Sequence, residues 1–257
     1  MSVLRCLTIA TSDSGGGAGV QADLKAFAAA GCHGTSALVA LTAQSTVGVT
    51  AIHELPPAFV VAQLEAVFDD IGVDAAKTGM LFSTPIIEIV SDFLAEHRVP
   101  LVVDPVMVAS SGARLLQEDA VEALISRLFP LATVVTPNEV EARVIVGDGP
   151  KPDLAERLVE LGAPAAIVTG GHGEPIDHLF DGDRHVEIPV ERTRIRATHG
   201  AGCTHSATLA ALLARGLSLE GAARGAAAAA SRAVEQGLPE IGAGDGPVDV
   251  LGLRGAA

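Results

Sequence analysis

The sequence predicts an α/β fold built on a mostly parallel sheet, and three observations carry that prediction. Short β-branched runs alternate with longer helical stretches, the rhythm of βαβ units. Apolar residues make up 49% of the 257 positions and are spread along the whole length, enough for a continuous core. Aromatics are only 3%, with no Trp or Tyr, so the core must be built from Ala, Val, Leu and Ile, as suits strands buried on both faces under Ala-rich helices.

The elements follow in order. Residues 3–10 read as a strand, 21–30 as a helix, 35–41 as a strand, 59–68 as a helix and 75–77 as a strand. A helix at 85–96, a strand at 101–104, a helix near 120–128 and a strand at 133–136 continue the alternation, which implies parallel strands joined by crossover helices. Beyond Asn138 come a short helix, a helix at 153–161, a strand at 166–168, and a hairpin pairing 176–180 with 185–189 across Asp181-Gly182-Asp183. From Gly202 onward the chain reads as helical. No repeat, low-complexity linker or composition change divides residues 1–257, so one domain is expected, with 147–152 the best loop candidate.

The formal charge of -14 opposes a phosphate-backbone surface, which needs clustered Lys and Arg, so nucleic acid is an unexpected partner. It does not oppose a nucleotide, because glycine-rich turns, helix N-termini and bound magnesium handle a few phosphates locally. Cys6, Cys32 and Cys203 are odd in number and lack Cys-x-x-Cys spacing, which fits a reducing compartment, the cytosol. The start of the chain is too short in apolar residues for a signal peptide, and the Ala-rich run 225–230 is far below the ~20 residues that span a bilayer. The eight His show no metal-ligand spacing, so no zinc site is expected.

In an open parallel sheet, ligands collect beyond the carboxyl ends of the strands, so the polar residues directly after the apolar runs are the informative ones. After the first strand comes Thr11-Ser12-Asp13-Ser14-Gly15-Gly16-Gly17-Ala18-Gly19, which fits either a ligand-hugging backbone turn or a simple helix cap. Asp104 ends a strand before Pro105, and Asn138 follows another strand with Glu141 three residues on. Asp104 and Glu141 can hold Mg²⁺, directly or through water, while the same Asn138/Glu141 spacing also fits a capping box. The turn Thr198-His199-Gly200-Ala201-Gly202-Cys203-Thr204 precedes a long Ala- and Leu-rich helix. Its backbone N–H groups would form an anion hole for a transferring phosphoryl group, and the helix end is expected to lower the thiol pKa of Cys203. Cys203 then serves as a base, or else merely packs at a helix start.

These motifs have a family likeness. The chain resembles the hydroxymethylpyrimidine and phosphomethylpyrimidine kinases of thiamine biosynthesis, a vitamin-kinase branch of the ribokinase-like fold. The likeness rests on residues 13–25, Thr42-Ala43-Gln44, Lys77-Thr78-Gly79-Met80, Val103-Asp104-Pro105-Val106-Met107, Thr136-Pro137-Asn138, Gly170-Gly171-His172 and the turn at Cys203. Cys203 itself points to this branch, because the related sugar kinases carry Asp there. The resemblance implies a three-layer αβα sandwich with a central, mostly parallel sheet, ATP and Mg²⁺ as cofactors, a small-molecule hydroxymethyl heterocycle as substrate, and a homodimer.

By the same resemblance, Asp23 and Gln44 bind the polar edge of the ring, Met80 and Val106 pack near it, and Thr11 touches the substrate. Gly200, Ala201 and Gly202 cradle the γ-phosphate and Cys203 takes the hydroxyl proton. Asn138, Thr169, Gly171, His172 and Thr198 meet the nucleotide, and Asp104 and Glu141 meet the metal. Some residues depart from the family pattern: Thr11 stands for a usual Gly, Ser45 for Asn, Ser110 and Thr169 for Lys, and Ala201 for Thr. Fewer cations near phosphate weigh against the second phosphorylation more than the first. The competing expectations are a pyridoxine or pyridoxal kinase, a Cys203-dependent hydrolase using His199 or His205, and a non-catalytic heterocycle-binding relative.

Overall fold

The computed structural model describes residues 2–107, 120–170, 174–191 and 197–255. One nine-stranded sheet organises them. Its strands are β1 (Arg5–Asp13), β2 (His33–Ser45), β3 (Gly48–Glu54), β4 (Ala75–Thr78), β5 (Leu101–Val103), β6 (Val134–Val135), β7 (Ala166–Val168), β8 (Ile176–Phe180) and β9 (His185–Pro189). They lie in the order β3-β2-β1-β4-β5-β6-β7-β8-β9. The six strands from β2 to β7 in that order run parallel, while β3, β8 and β9 are antiparallel to their neighbours.

The helices are α1 (Gly19–Ala29), α2 (Pro57–Ala66), α3 (Thr84–Glu96), α4 (Ala120–Ala123), α5 (Glu139–Val146), α6 (Lys151–Glu160), α7 (Ala201–Ala214) and α8 (Leu219–Glu235). Because successive strand residues face opposite sides, the sheet divides its apolar side chains between two cores. Leu7, Ile9, Val103 and Val135 join Leu64, Ile87 and Leu158 of α2, α3 and α6. Cys6, Val102, Val134 and Ile167 join Phe27 of α1 with Ala207, Ala210, Ala223 and Ala226 of α7 and α8. The alanines let α7 and α8 approach the sheet closely, which is the three-layer sandwich the resemblance implies.

Three readings change. β3 is an extra antiparallel edge strand: Thr42 pairs with Ile52 and Ala40 with Glu54, and its half-exposed Gly-Val-Thr-Ala-Ile run lacks the apolar density that marks the buried strands. α6 starts at Lys151, inside the expected loop, with Pro152 in its first turn, where a missing N–H costs nothing. β1 extends past Ala10 to Asp13 after a register shift against β2, so Thr11, Ser12 and Asp13 are carried on the sheet. No helix among the described residues is long and apolar enough to cross a membrane.

Candidate active site

A cavity of about 680 Å³ opens at the carboxyl edge of the sheet, bordered by the ends of β1, β4, β5 and β7 and by the start of α7. Two glycine turns frame it. In the first, the Asp13 carboxylate accepts backbone N–H bonds from Gly15 (2.8 Å), Gly17 (3.1 Å) and Ala18 (2.8 Å), and lies 2.9 Å from His199 Nε2. Burial disfavours its charge, but the His199 bond and the backbone donors outweigh burial and hold its pKa below the usual carboxylate range. His199 belongs to the second turn. There Gly200 has φ +87°, and a Cβ on it would fall 1.8 Å from the Gly17 carbonyl oxygen. The two turns therefore touch backbone to backbone, a contact only glycine permits.

Gly200 caps α7, a helix of 14 residues. Gly200, Ala201, Gly202 and Cys203 all border the cavity, and the first N–H groups of a helix have no intrahelical acceptor. This is the helix end at which an anion hole is expected from the sequence. Thr198 lies beside it, but its hydroxyl donates to Asp245 Oδ2 (2.7 Å) and its N–H to Asp245 Oδ1 (3.1 Å). That partner was not visible in the local sequence.

The expected low thiol pKa of Cys203 is corrected. Burial pushes the thiol up to about 12, and the negative charges of Asp23 and Asp104 add to burial, while Lys77 and the Gly19 N–H pull the other way. The helix end does not overcome desolvation, so Cys203 is a neutral thiol at physiological pH.

Asp23, expected at the polar edge of a bound ring, is fully buried and is not among the residues that border the cavity. Its carboxylate accepts from Thr8 Oγ1 (2.6 Å) and Lys77 Nζ (3.0 Å to each oxygen). Helix α1 turns this side chain toward the sheet, where a buried lysine needs a counter-charge. Thr11, Gln44, Met80 and Val106 do border the cavity together. Thr11 Oγ1 donates to the Met80 carbonyl oxygen (3.1 Å) and lies 3.4 Å from its sulfur. The Gln44 side chain accepts from Thr42 Oγ1 (3.0 Å), and its Nε2 lies 3.5 Å from His199 Nε2.

At the other end, Asn138 and Glu141 form the capping box: the Asn138 side chain accepts from the Glu141 N–H (2.9 Å), and Glu141 accepts from the N–H groups of Asn138 (3.0 Å) and Met107 (3.3 Å). Both also border the cavity beside Asp104, so forming the capping box does not take them away from it. Burial, then the neighbouring Asp104 charge, pushes Glu141 up to about 8, against those N–H bonds. Two carboxylates that repel each other are a donor set that suits a hard divalent cation, and Mg²⁺ commonly uses one or two carboxylates plus water and phosphate. Asp104 Oδ2 accepts from Ser206 Oγ (2.7 Å).

Thr169 is bridged to Asn138 and borders the cavity with Gly170 and Asp177. Thr136 Oγ1 and His205 Nε2 are buried cavity-lining groups with no hydrogen bond; Asp177 Oδ2 lies 3.5 Å from His205. Gly171, His172 and Ser110 lie outside the described residues.

Sequence reasoning assigned no role to Asp13, His199, Lys77 or Ser206 in the site. Asp13 and Lys77 stand inside motifs carrying the family likeness, which was the available signal. His199 was weighed only as a hydrolase partner, whereas its Nε2 lies against Asp13.

The fold, with two glycine turns meeting at the carboxyl edge of its sheet, is that of a ribokinase-like small-molecule kinase. A family model described as phosphomethylpyrimidine kinase matches residues 13–249. The hydroxymethylpyrimidine/phosphomethylpyrimidine kinase of Rhizobium meliloti (strain 1021) is 47% identical over 252 residues, 94% of this chain and 95% of its own. Among solved structures, an ADP complex of Bacillus subtilis pyridoxal kinase is similar with TM-score 0.89 and 36% identity, covering 98% of this chain and 99% of that one. The phosphomethylpyrimidine kinase from Clostridium difficile 630 is similar with TM-score 0.78 and 38% identity, covering 88% and 96%. The chain belongs to the phosphomethylpyrimidine kinase family.

Proposed function

We propose that this kinase moves the γ-phosphoryl group of ATP to the hydroxyl of 4-amino-5-hydroxymethyl-2-methylpyrimidine and then phosphorylates the monophosphate to the diphosphate, acting with Mg²⁺ as a single-domain, cytoplasmic homodimer. The observation that carries the reading is that one cavity is bordered at once by Gln44, Met80 and Val106, by the α7 N-terminus, and by Asn138, Thr169 and Gly170. An amide and a thioether complement an aminopyrimidine's polar edge and its face. Thr136 Oγ1, buried at the cavity border without a hydrogen bond, suits a contact that a bound ligand completes. The reducing compartment is supported by the three free cysteines, and the dimer by the family likeness alone.

In this reading, Asp104 and Glu141 would hold Mg²⁺, which would offset the charge of the phosphates. Gly200 to Cys203 direct backbone N–H groups at the transferring phosphoryl oxygens. The pocket end aligns the hydroxyl, which supplies most of the acceleration in a loose transition state. Cys203, neutral at rest, orients that hydroxyl, and the proton leaves late, to an oxygen of the transferred phosphoryl group, once the new P–O bond has made the alcohol oxygen acidic.

A second alcohol, pyridoxal, enters the test because similar solved structures are pyridoxal kinases. Mass spectrometry of products from each alcohol with Mg-ATP separates the two. Appearance of pyrimidine monophosphate followed by diphosphate is the expected result; pyridoxal phosphate alone overturns the pyrimidine assignment, and a stall at the monophosphate overturns the second step.

A further inference from the structure

Lys77 has no part in the roles above. In β4 it pairs in register with Thr8 and Val102, which places it on the α1–α7 side of the sheet among apolar neighbours. A lysine there requires a counter-charge, and Asp23 supplies it with both oxygens at 3.0 Å. Neither side chain of the pair is exposed. Burial opposes the ammonium charge, but Asp23 leads the nearby groups that outweigh it and hold the lysine protonated.

As a structural device this pair is a poor choice, because an apolar pair of similar volume usually stabilises a core at least as well. Its position suggests another use. Lys77 forms part of the cavity border together with Asp104 and Cys203, and its Nζ lies 3.9 Å from Asp104 Oδ2. Asp104 is thus held from two sides, by the Lys77 charge and by the 2.7 Å bond from Ser206 Oγ.

We propose that Lys77 is a positioning residue for phosphoryl transfer: anchored by Asp23, its ammonium fixes the Asp104 carboxylate and places a permanent positive charge beside the anion hole at Cys203. A fixed cation shielded from water acts strongly on charge that develops nearby and needs no reorganisation as the reaction proceeds. Asp23 acts one step further out, keeping the ammonium in place. This inference rests on the phosphoryl-transfer reading.

The test compares Lys77→Met, Asp23→Asn and the double variant in unfolding temperature and in steady-state kinetics with the pyrimidine alcohol and Mg-ATP. Lys77→Met strands a buried carboxylate and is expected to lose both stability and rate, with kcat down about 100-fold. The double variant removes the carboxylate that Lys77→Met strands at position 23, so its unfolding temperature is expected to recover relative to Lys77→Met while kcat stays about 100-fold low and both KM values stay within about threefold. Recovery of kcat together with stability reduces the pair to scaffolding and overturns the proposal. Lys77→Gln, which keeps a donor for Asp23, covers a double variant that does not fold: a folded Lys77→Gln enzyme is expected to lose at least about tenfold in kcat, and wild-type kcat in it also overturns the proposal. Wild-type enzyme run alongside separates the two levels. An active wild type with active variants sinks the role of Lys77 alone, whereas a wild type that phosphorylates neither pyrimidine alcohol nor pyridoxal sinks the kinase reading and this inference with it.

Discussion

Asp13 Oδ2 and His199 Nε2 lie 2.9 Å apart although 186 positions separate them in the chain. This contact ties the glycine turn after β1 to the one before α7, so both turns form a single wall of the cavity. Their backbones meet at Gly17 and Gly200, and Gly200→Ala introduces both a Cβ clash with the Gly17 carbonyl and an unfavourable φ of +87°. The expected outcome is a stability loss of about 1–3 kcal/mol or more in urea denaturation, with a larger proportional loss of turnover.

The Asp13 pairing has an acid limit. Its folded pKa is lowered, so the stability it contributes is present above the usual carboxylate range and is lost as pH falls through the folded value. Asp13→Asn is expected to flatten that part of the stability profile below about pH 4, as read by thermal unfolding across pH.

Glu141 works in the opposite direction. Its folded pKa, raised to about 8 from 4.5, gives stability that is fully present below the unfolded value and is lost as pH rises through the folded one. Without divalent cation, the protein is expected to lose stability between these two values, and Glu141→Gln to flatten the loss. Mg²⁺ at the proposed site would displace that proton, so its half-saturating concentration in the kinase assay is expected to fall as pH rises toward 8. A flat Mg²⁺ requirement across that window contradicts the site.

Cys203 is expected to react slowly with iodoacetamide at neutral pH, because its thiol is pushed up to about 12 and the thiolate is the reactive form. Mass-spectrometric labelling of the folded protein checks this; rapid selective alkylation at pH 7 contradicts a neutral thiol. Cys203→Ala is expected to reduce kcat while leaving the alcohol's KM less affected, and near wild-type turnover removes the residue from the chemistry.

Much of this architecture could be read from residue order. The parallel strands are runs such as Leu101–Val103 and Ala166–Val168, buried on both faces and therefore continuous in hydrophobicity. The turn before α7 was legible because glycines before a long helix have a local signature. β3 was not, since an edge strand with one exposed face carries weak patterning. The burial of Asp23 and the raised thiol pKa of Cys203 were not legible, because each depends on packing across the chain: Asp23 is paired with Lys77, more than 50 residues away, and Cys203 is pushed up chiefly by desolvation, against the pull of Lys77. Likewise, His199 takes its meaning from Asp13, a contact made only by folding.

The central claim is that the cavity end formed by Gln44, Met80 and Val106 selects a pyrimidine alcohol for phosphorylation at the α7 N-terminus. Direct competition between equal concentrations of 4-amino-5-hydroxymethyl-2-methylpyrimidine and pyridoxal for limiting Mg-ATP, with both phosphorylated products quantified, tests it most directly. Predominant pyrimidine phosphate is the predicted result; predominant pyridoxal phosphate, or ATP consumed with neither product formed, contradicts it.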